Sequence, residues 1–112
     1  MTYYAKNGDE ITLEQWSKLL GDAEYKRVAI DTFPSGRWVS TVWLGLDHAW
    51  LLDDGPILIF ETMVFDGSSM ADEFMERYST EEQALEGHKR IVQMVRELEN
   101  VVVVEEKHHA GE

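Results

Sequence analysis

The chain of 112 residues contains no cysteine and only two prolines, and ten lysines and arginines stand against 22 aspartates and glutamates. The absence of cysteine excludes disulfides, thiolate metal sites and cysteine nucleophiles, and it fits a reducing compartment. The acidic excess gives a formal net charge of -12, which should repel nucleic acid and anionic membrane surfaces. Such a charge can attract a basic protein surface, or it can simply keep a small protein soluble.

Long apolar runs are also missing. No stretch reaches the roughly 18 residues that a membrane span requires. The first residues, 1–6, lack the basic segment and apolar run of a signal peptide. We therefore expect one soluble cytoplasmic domain covering residues 1–112, because a chain of this length supports a single core.

The apolar and aromatic residues are concentrated in residues 37–65, which predicts a hairpin of two long strands. If its loop covers about residues 47–56, the register places Thr41 opposite Thr62, with Glu61 next in line. Both strands are apolar on both faces. One face should therefore receive a helix, and the other needs a second cover from the N-terminal helix, the C-terminal tail or a partner chain.

Alternating segments flank this hairpin. Residues 27–33 alternate in character, which predicts a strand with one buried face, and residues 73–78 resume an alternating pattern. The four strands should form an antiparallel meander. Extending the register to the last strand puts Arg77 near Glu61 as a cross-strand ion pair.

The N-terminal segment carries two local signals. Asn7-Gly8 lies between short strand-like arms and predicts a small hairpin. Thr12 and Gln15 then form a capping box that begins a short helix, in which Trp16 is expected to be a core anchor. Gly21 is expected to end this helix in the left-handed conformation.

A second capping box, Thr80 with Gln83, predicts a long helix that ends at about Asn100, with His88 in or beside its buried stripe. Four β-branched residues in a row favour a fifth strand or a docked tail for Val101–Val104. The predicted fold class is therefore α+β: a four-stranded antiparallel β-meander with a long C-terminal helix packed on one face, a short N-terminal helix and a possible extra strand at 101–104.

Few side chains in the sequence are suited to metal binding or catalysis. The oxygen and imidazole groups of Asp47, His48, Asp53 and Asp54 belong to one loop and are potential ligands of a divalent cation. No recognised metal-binding spacing accompanies them, so we expect these side chains to cap the turn and predict no metal and no cofactor.

His88 and Glu61 would form an acid–base pair if the long helix crossed the hairpin at the right level. A histidine in an apolar stripe is more often packed against a carbonyl or a hydroxyl such as Ser40, Thr41 or Thr62. The chain has neither a nucleophile elbow nor a glycine-rich phosphate loop. The prediction is that the protein is not an enzyme.

The loop of residues 47–55 is the predicted binding surface. It places an apolar cluster of Trp50, Leu51 and Leu52 between acidic residues, and interface anchors commonly have an apolar centre and a charged rim. The alternative is that Trp50 folds back over the sheet edge as a lid on the core.

Three segments resemble a family of small uncharacterised bacteriophage and prophage proteins. They are residues 38–48 (WVSTVWLGLDH), 59–65 (IFETMVF) and 77–88 (RYSTEEQALEGH). The resemblance covers most of the chain, but the family has no established activity to carry over. It implies a phage origin, a host-cytoplasmic setting and roles such as blocking a host or anti-phage defence protein.

We therefore expect a small acidic protein that acts by protein–protein interaction on a host or defence protein with a basic surface. A homodimer is a further possibility, whereas nucleic acid and membrane are not expected partners. Two other functions stay open. One is a small enzyme or ligand-binding protein that uses Asp47, His48, Glu61 and His88, and the other is a minor virion structural or assembly factor.

Overall fold

The structure is a computed structural model that describes residues 2–46, 56–67 and 72–110. For residues 72–73 and 101–110 it describes the backbone alone. It has the predicted α+β fold. The elements, in chain order, are β1 (Tyr3–Tyr4), β2 (Glu10–Ile11), α1 (Leu13–Leu20), α2 (Ala23–Lys26), β3 (Arg27–Thr32), β4 (Trp38–Trp43), β5 (Phe60–Phe65), β6 (Asp72–Tyr78) and α3 (Glu81–Ala110).

The main sheet is an antiparallel meander in the order β3-β4-β5-β6, and β1 pairs with β2 in a separate hairpin. Thr41 lies opposite Thr62 and Glu61 lies opposite Arg77, so the predicted register is confirmed. The alternation along β4 and β5 was strong enough to fix which residues share a face.

Helix α3 covers one face of this sheet. Alternate residues of β4 and β5 are buried beneath it, and they fall into two apolar clusters. The Val39 cluster consists of Val39, Val64, Ile91, Val92 and Val95. The Trp43 cluster consists of Trp43, Ile59, Phe60, Tyr78 and Ala84.

Strand β3 departs from simple alternation. A β-bulge shifts its register between Arg27 and Ala29, so its side chains change phase relative to β4. Val28 packs against the Trp43 cluster, whereas Ile30 is 45% exposed. Asp31 lies opposite Val39 and so shares the face covered by α3.

The N-terminal elements pack at the Trp43 end of the sheet. The predicted capping box of α1 is present, and the Trp16 Nε1–H donates to the carbonyl of Leu44 at 2.9 Å. The prediction for Gly21 was wrong, because it is right-handed with φ -78 and ψ -8. Asp22 caps α2 directly afterwards, so the chain re-enters a helical turn and needs no left-handed stop.

Helix α3 begins after Thr80, whose hydroxyl accepts from the Gln83 N–H at 3.1 Å. It continues to Ala110, so the predicted end at about Asn100 and the strand or extended tail at Val101–Val104 were wrong. β-Branched residues lower helix propensity by only a few tenths of a kcal/mol each, and an existing helix adds residues without a new nucleation cost. No glycine or proline interrupts residues 88–110. None of the described helices is both long and apolar enough to cross a membrane.

Candidate functional site

A set of polar side chains lies between the two apolar clusters, under α3. We call it the polar layer. It contains residues of all four main strands and of the helix: Asp31, Thr41, Thr62, Glu76, Tyr78, His88 and Arg90. Among the described side chains that are not exposed, every buried nitrogen and oxygen has a hydrogen-bond partner.

His88 is the centre of the polar layer and is only 4% exposed. Its Nδ1 lies 2.7 Å from the hydroxyl of Thr41, and its Nε2 lies 2.7 Å from Oδ2 of Asp31. Thr41 in turn lies 2.5 Å from the hydroxyl of Thr62 across the β4-β5 pair. The histidine therefore packs against a hydroxyl, as its position in an apolar stripe predicted.

Tyr78 continues the layer toward β6. Its hydroxyl lies 3.0 Å from Oγ1 of Thr62 and 2.8 Å from Oε2 of Glu76. Burial raises the pKa of Tyr78 from 10.0 to about 12, and Glu76 adds to the shift. The Arg90 guanidinium donates to the same Glu76 oxygen at 2.5 Å, and this hydrogen bond raises the pKa of Arg90.

Both ends of the polar layer reach solvent, but its middle does not. The Asp31 side chain is 49% exposed, and Glu76, Tyr78 and Arg90 line a cleft of about 790 Å³. Thr41 and Thr62 are 0% exposed. A hydroxyl that no substrate can reach cannot act as a nucleophile, so the Asp31–His88–Thr41 sequence does not form a catalytic triad.

Glu61 does not belong to the polar layer. It alternates with Phe60 and Thr62 along β5, so it points to the other face of the sheet and cannot pair with His88. There Oε2 of Glu61 accepts from the Arg77 Nε–H at 3.0 Å, which is the ion pair predicted from the register. Glu61 is 8% exposed, so the paired guanidinium is what makes its burial tolerable.

The face that carries Glu61 is the second candidate site, and we call it the open face. Its apolar members are Ile30, Trp38, Val42, Met63, Phe65 and Met75. The Trp38 and Phe65 rings stack at 4.2 Å between centroids, and Ile30 and Met75 are 45% and 47% exposed. Among the described helices, α3 lies on the opposite face, and α1 and α2 pack by Trp16, Leu19, Leu20 and Tyr25 on the Trp43 cluster.

The predicted binding loop lies outside the described residues. This applies to Asp47, His48, Trp50, Leu51, Leu52, Asp53 and Asp54, whose predicted interface role stays a prediction. Within the described parts of the chain, no three histidine, aspartate or glutamate side chains are placed to hold a metal ion.

Sequence reasoning identified His88, Glu61 and Arg77 but missed Asp31, Glu76 and the role of Tyr78. Asp31 could not be placed, because the β-bulge that turns it toward α3 has no composition signal. Gly87 beside His88 was an available sign of close approach, since an added Cβ there would overlap the Tyr78 ring.

No protein-family model, no curated protein and no solved structure matches this chain.

Proposed function

We propose that this protein acts by binding another protein through the open face of its sheet. One observation carries the proposal: apolar side chains occupy this face, and those near its edges, Ile30 and Met75, are about half exposed. Apolar side chains that are grouped on one face and partly exposed are typical of interaction sites. The stacked rings of Trp38 and Phe65 add the aromatic content that is enriched at interface centres.

The partner proposed is a protein with an apolar patch bordered by basic side chains. The open face is close to neutral where Glu61 pairs with Arg77, while the chain as a whole has a formal charge of -12. Two copies of this chain would bring equal negative charges together, which opposes self-association. A basic surround on the partner would instead be attracted as it approaches.

The size of the open face also supports a partner whose apolar patch is bordered by basic side chains. Four strands about 4.8 Å apart and six residues long cover roughly 20 Å by 20 Å. This is about half of the roughly 800 Å² that each partner buries in a standard interface. The contact should therefore extend past the sheet edges, where the acidic surface can meet basic groups of the partner.

The resemblance to phage proteins supplies the proposed setting. A small acidic phage protein with one open apolar face is suited to occupy a basic site of a host or anti-phage defence protein and block it. A minor virion assembly role would use the same face on another phage protein.

The test is binding with matched variants. Ile30→Gln with Met75→Gln lowers the apolar character of the open face without changing charge. Leu85→Gln on α3, which is 42% exposed, is the control at similar exposure on the opposite side. Proteins retained from bacterial lysate by the unmodified chain are purified and titrated against all three forms.

We expect the double variant to bind at least about 10-fold more weakly and the control to differ by less than about twofold. Affinity should fall as salt increases. Equal affinity of all three forms would refute the open face as the binding site. A salt-independent affinity, or a stable dimer of this chain formed through that face, would refute the choice of a basic partner.

A further inference from the structure

The outer edge of β6 has no neighbouring strand in the described parts of the chain. β6 is the last strand of the sheet, so only its inner side pairs with β5. The Tyr78 carbonyl accepts from the Ile59 N–H at 2.9 Å, on the β5 side. Because successive residues of a strand direct their backbone polar groups to opposite sides, Glu76 also faces β5, whereas Met75 and Arg77 face outward.

The hydrogen bonds of β5 lead to the same assignment. The Leu44 N–H donates to the Ile59 carbonyl at 2.7 Å, so the Phe60 N–H, on the opposite side of that peptide unit, points to β6. Alternation then makes every second residue of β5 bond to its even-numbered partner in the β6 register. The N–H and C=O groups of Met75 and Arg77 therefore point away from the sheet. Among the described residues, no backbone group outside the sheet bonds to them.

The cleft of about 790 Å³ lies beside this edge. One wall is residues 76–78 of β6, and the other is the side of α3 that carries Glu82, Glu86 and Arg90. Arg77 also lines the cleft, although alternation puts its side chain on the open face, so the cleft includes the outer edge of the strand. An added strand about 4.8 Å from β6 would lie along the cleft, with every second side chain directed into it.

The two sides of this edge differ in chemistry. In the cleft, the Arg90 guanidinium donates to Glu76 at 2.5 Å, so these two charges compensate each other. Glu82 and Glu86 are exposed and add two negative charges on the α3 wall. On the open face, Met75 is apolar and 47% exposed. A segment that suits both sides has basic side chains toward the cleft and apolar side chains toward Met75.

We propose that the outer edge of β6 binds an extended segment of a partner protein, which joins the sheet as an added strand. Its backbone bonds to Met75 and Arg77, its lysine or arginine side chains enter the cleft, and the apolar side chains between them lie beside Met75. In this mode of recognition, main-chain hydrogen bonds provide affinity and alternate side chains provide specificity. A second copy of this chain carries the same charge of -12 and is repelled, so the charge favours a basic segment as the occupant.

This site is separate from the open face and does not depend on binding there. The segment lies beside β6, and the open face lies on top of the sheet. Ile30 belongs to β3, at the opposite edge of the sheet. Ile30→Gln therefore weakens the open face without touching the proposed strand site.

The experiment titrates the whole chain with the synthetic peptide Lys-Val-Lys-Val-Lys-Val-Lys. In an added strand, the valines lie opposite Met75 and Arg77 and bond to them, whereas the lysine N–H groups point away from β6. N-methylation of the valines removes the hydrogen bonds to the edge. N-methylation of the lysines keeps them and is the matched control.

We expect the unmodified peptide to bind with a Kd below about 1 mM. Methylated valines should weaken binding at least about 10-fold, and methylated lysines by less than about threefold. In NMR spectra of the complex, the amide signals of Met75 and Arg77 should shift and become protected from hydrogen exchange. Equal effects of the two methylations, or no binding of the unmodified peptide, would overturn the proposal.

Two pairs of substitutions test the charge of the segment. Glu82→Gln with Glu86→Gln removes two charges from the cleft. Glu14→Gln with Glu24→Gln removes two exposed charges from α1 and α2, which pack against β1, β3 and β4. The first pair should weaken peptide binding about threefold or more at low salt, and the second by less than about 1.5-fold.

Three results would count against the strand site. An equal loss in both pairs would show that the cleft does not select basic side chains. Loss of peptide binding in Ile30→Gln would move the site to the open face. A dimer of this chain formed edge to edge through β6 would make a second copy the occupant.

Discussion

Gly87 is where a single added methyl group should disturb the polar layer most. It is buried in α3, and a Cβ built there would overlap Cε1, Cζ and the hydroxyl oxygen of Tyr78. These ring atoms cannot simply rotate away, because the hydroxyl is held by contacts to Thr62 and Glu76. The perturbation to test is Gly87→Ala.

Two opposing effects decide whether Gly87→Ala raises or lowers the free energy of unfolding. Alanine in a helix interior is favoured over glycine by about 1 kcal/mol. Overpacking a filled site costs about 1 to 3 kcal/mol, and each hydrogen bond lost as Tyr78 moves costs about 0.5 to 1.5 kcal/mol. The clash therefore wins, and we expect Gly87→Ala to lower the free energy of unfolding by about 2 kcal/mol in urea denaturation.

The matched background is Tyr78→Leu, which lacks all three of the overlapping atoms. In that background the helix preference acts alone, so Gly87→Ala should stabilise by about 0.5 to 1 kcal/mol. The sign of the effect should thus reverse between the two backgrounds. Equal destabilisation in both would refute the overlap with Tyr78 as the cause.

Three further perturbations test the ionisable groups and the helix start. Burial raises the Tyr78 pKa from 10.0 to about 12, so the stabilisation that this group provides should be fully present below pH 10 and be lost between pH 10 and 12. Denaturation measured at pH 9 and at pH 11.5 should show a loss of stability that exceeds the loss in Tyr78→Phe by on the order of 1 to 2 kcal/mol. Arg77→Ala leaves the 8%-exposed Glu61 without its ion-pair partner and should cost about 1 to 3 kcal/mol, partly restored by adding Glu61→Gln. Thr12→Ala removes the cap of α1 and should cost about 1 kcal/mol in thermal unfolding.

The parts of the fold that sequence predicted are those fixed by local or strictly periodic signals. Both capping boxes appear as predicted, because each needs only residues three positions apart. The pairing of Thr41 with Thr62 followed from alternation in β4 and β5, where one slipped residue would turn every apolar side chain to the wrong face.

The parts that sequence missed depend on contacts between distant segments. The bulge at Arg27/Ala29 turns Asp31 toward α3, and its stabilising contact with His88 is 57 residues away. Likewise, Val101–Val104 carry a strand-like composition, yet they continue a helix that is already formed. Local propensity is a weak prior wherever the neighbouring structure has already set the backbone.

The polar layer gives a physical reason for the open face to be rigid. The Val39 and Trp43 clusters alone would let α3 slide along the sheet, since apolar contacts have little directional preference. A slide of one helix turn, about 5.4 Å, would take His88 out of reach of Thr41 and Asp31 and leave buried polar groups unpaired, at about 1 to 3 kcal/mol for each. The layer thus fixes the helix to the two central strands. The same strands present Trp38 and Phe65 on the other side, so a partner would meet a preorganised apolar surface and lose less conformational entropy on binding.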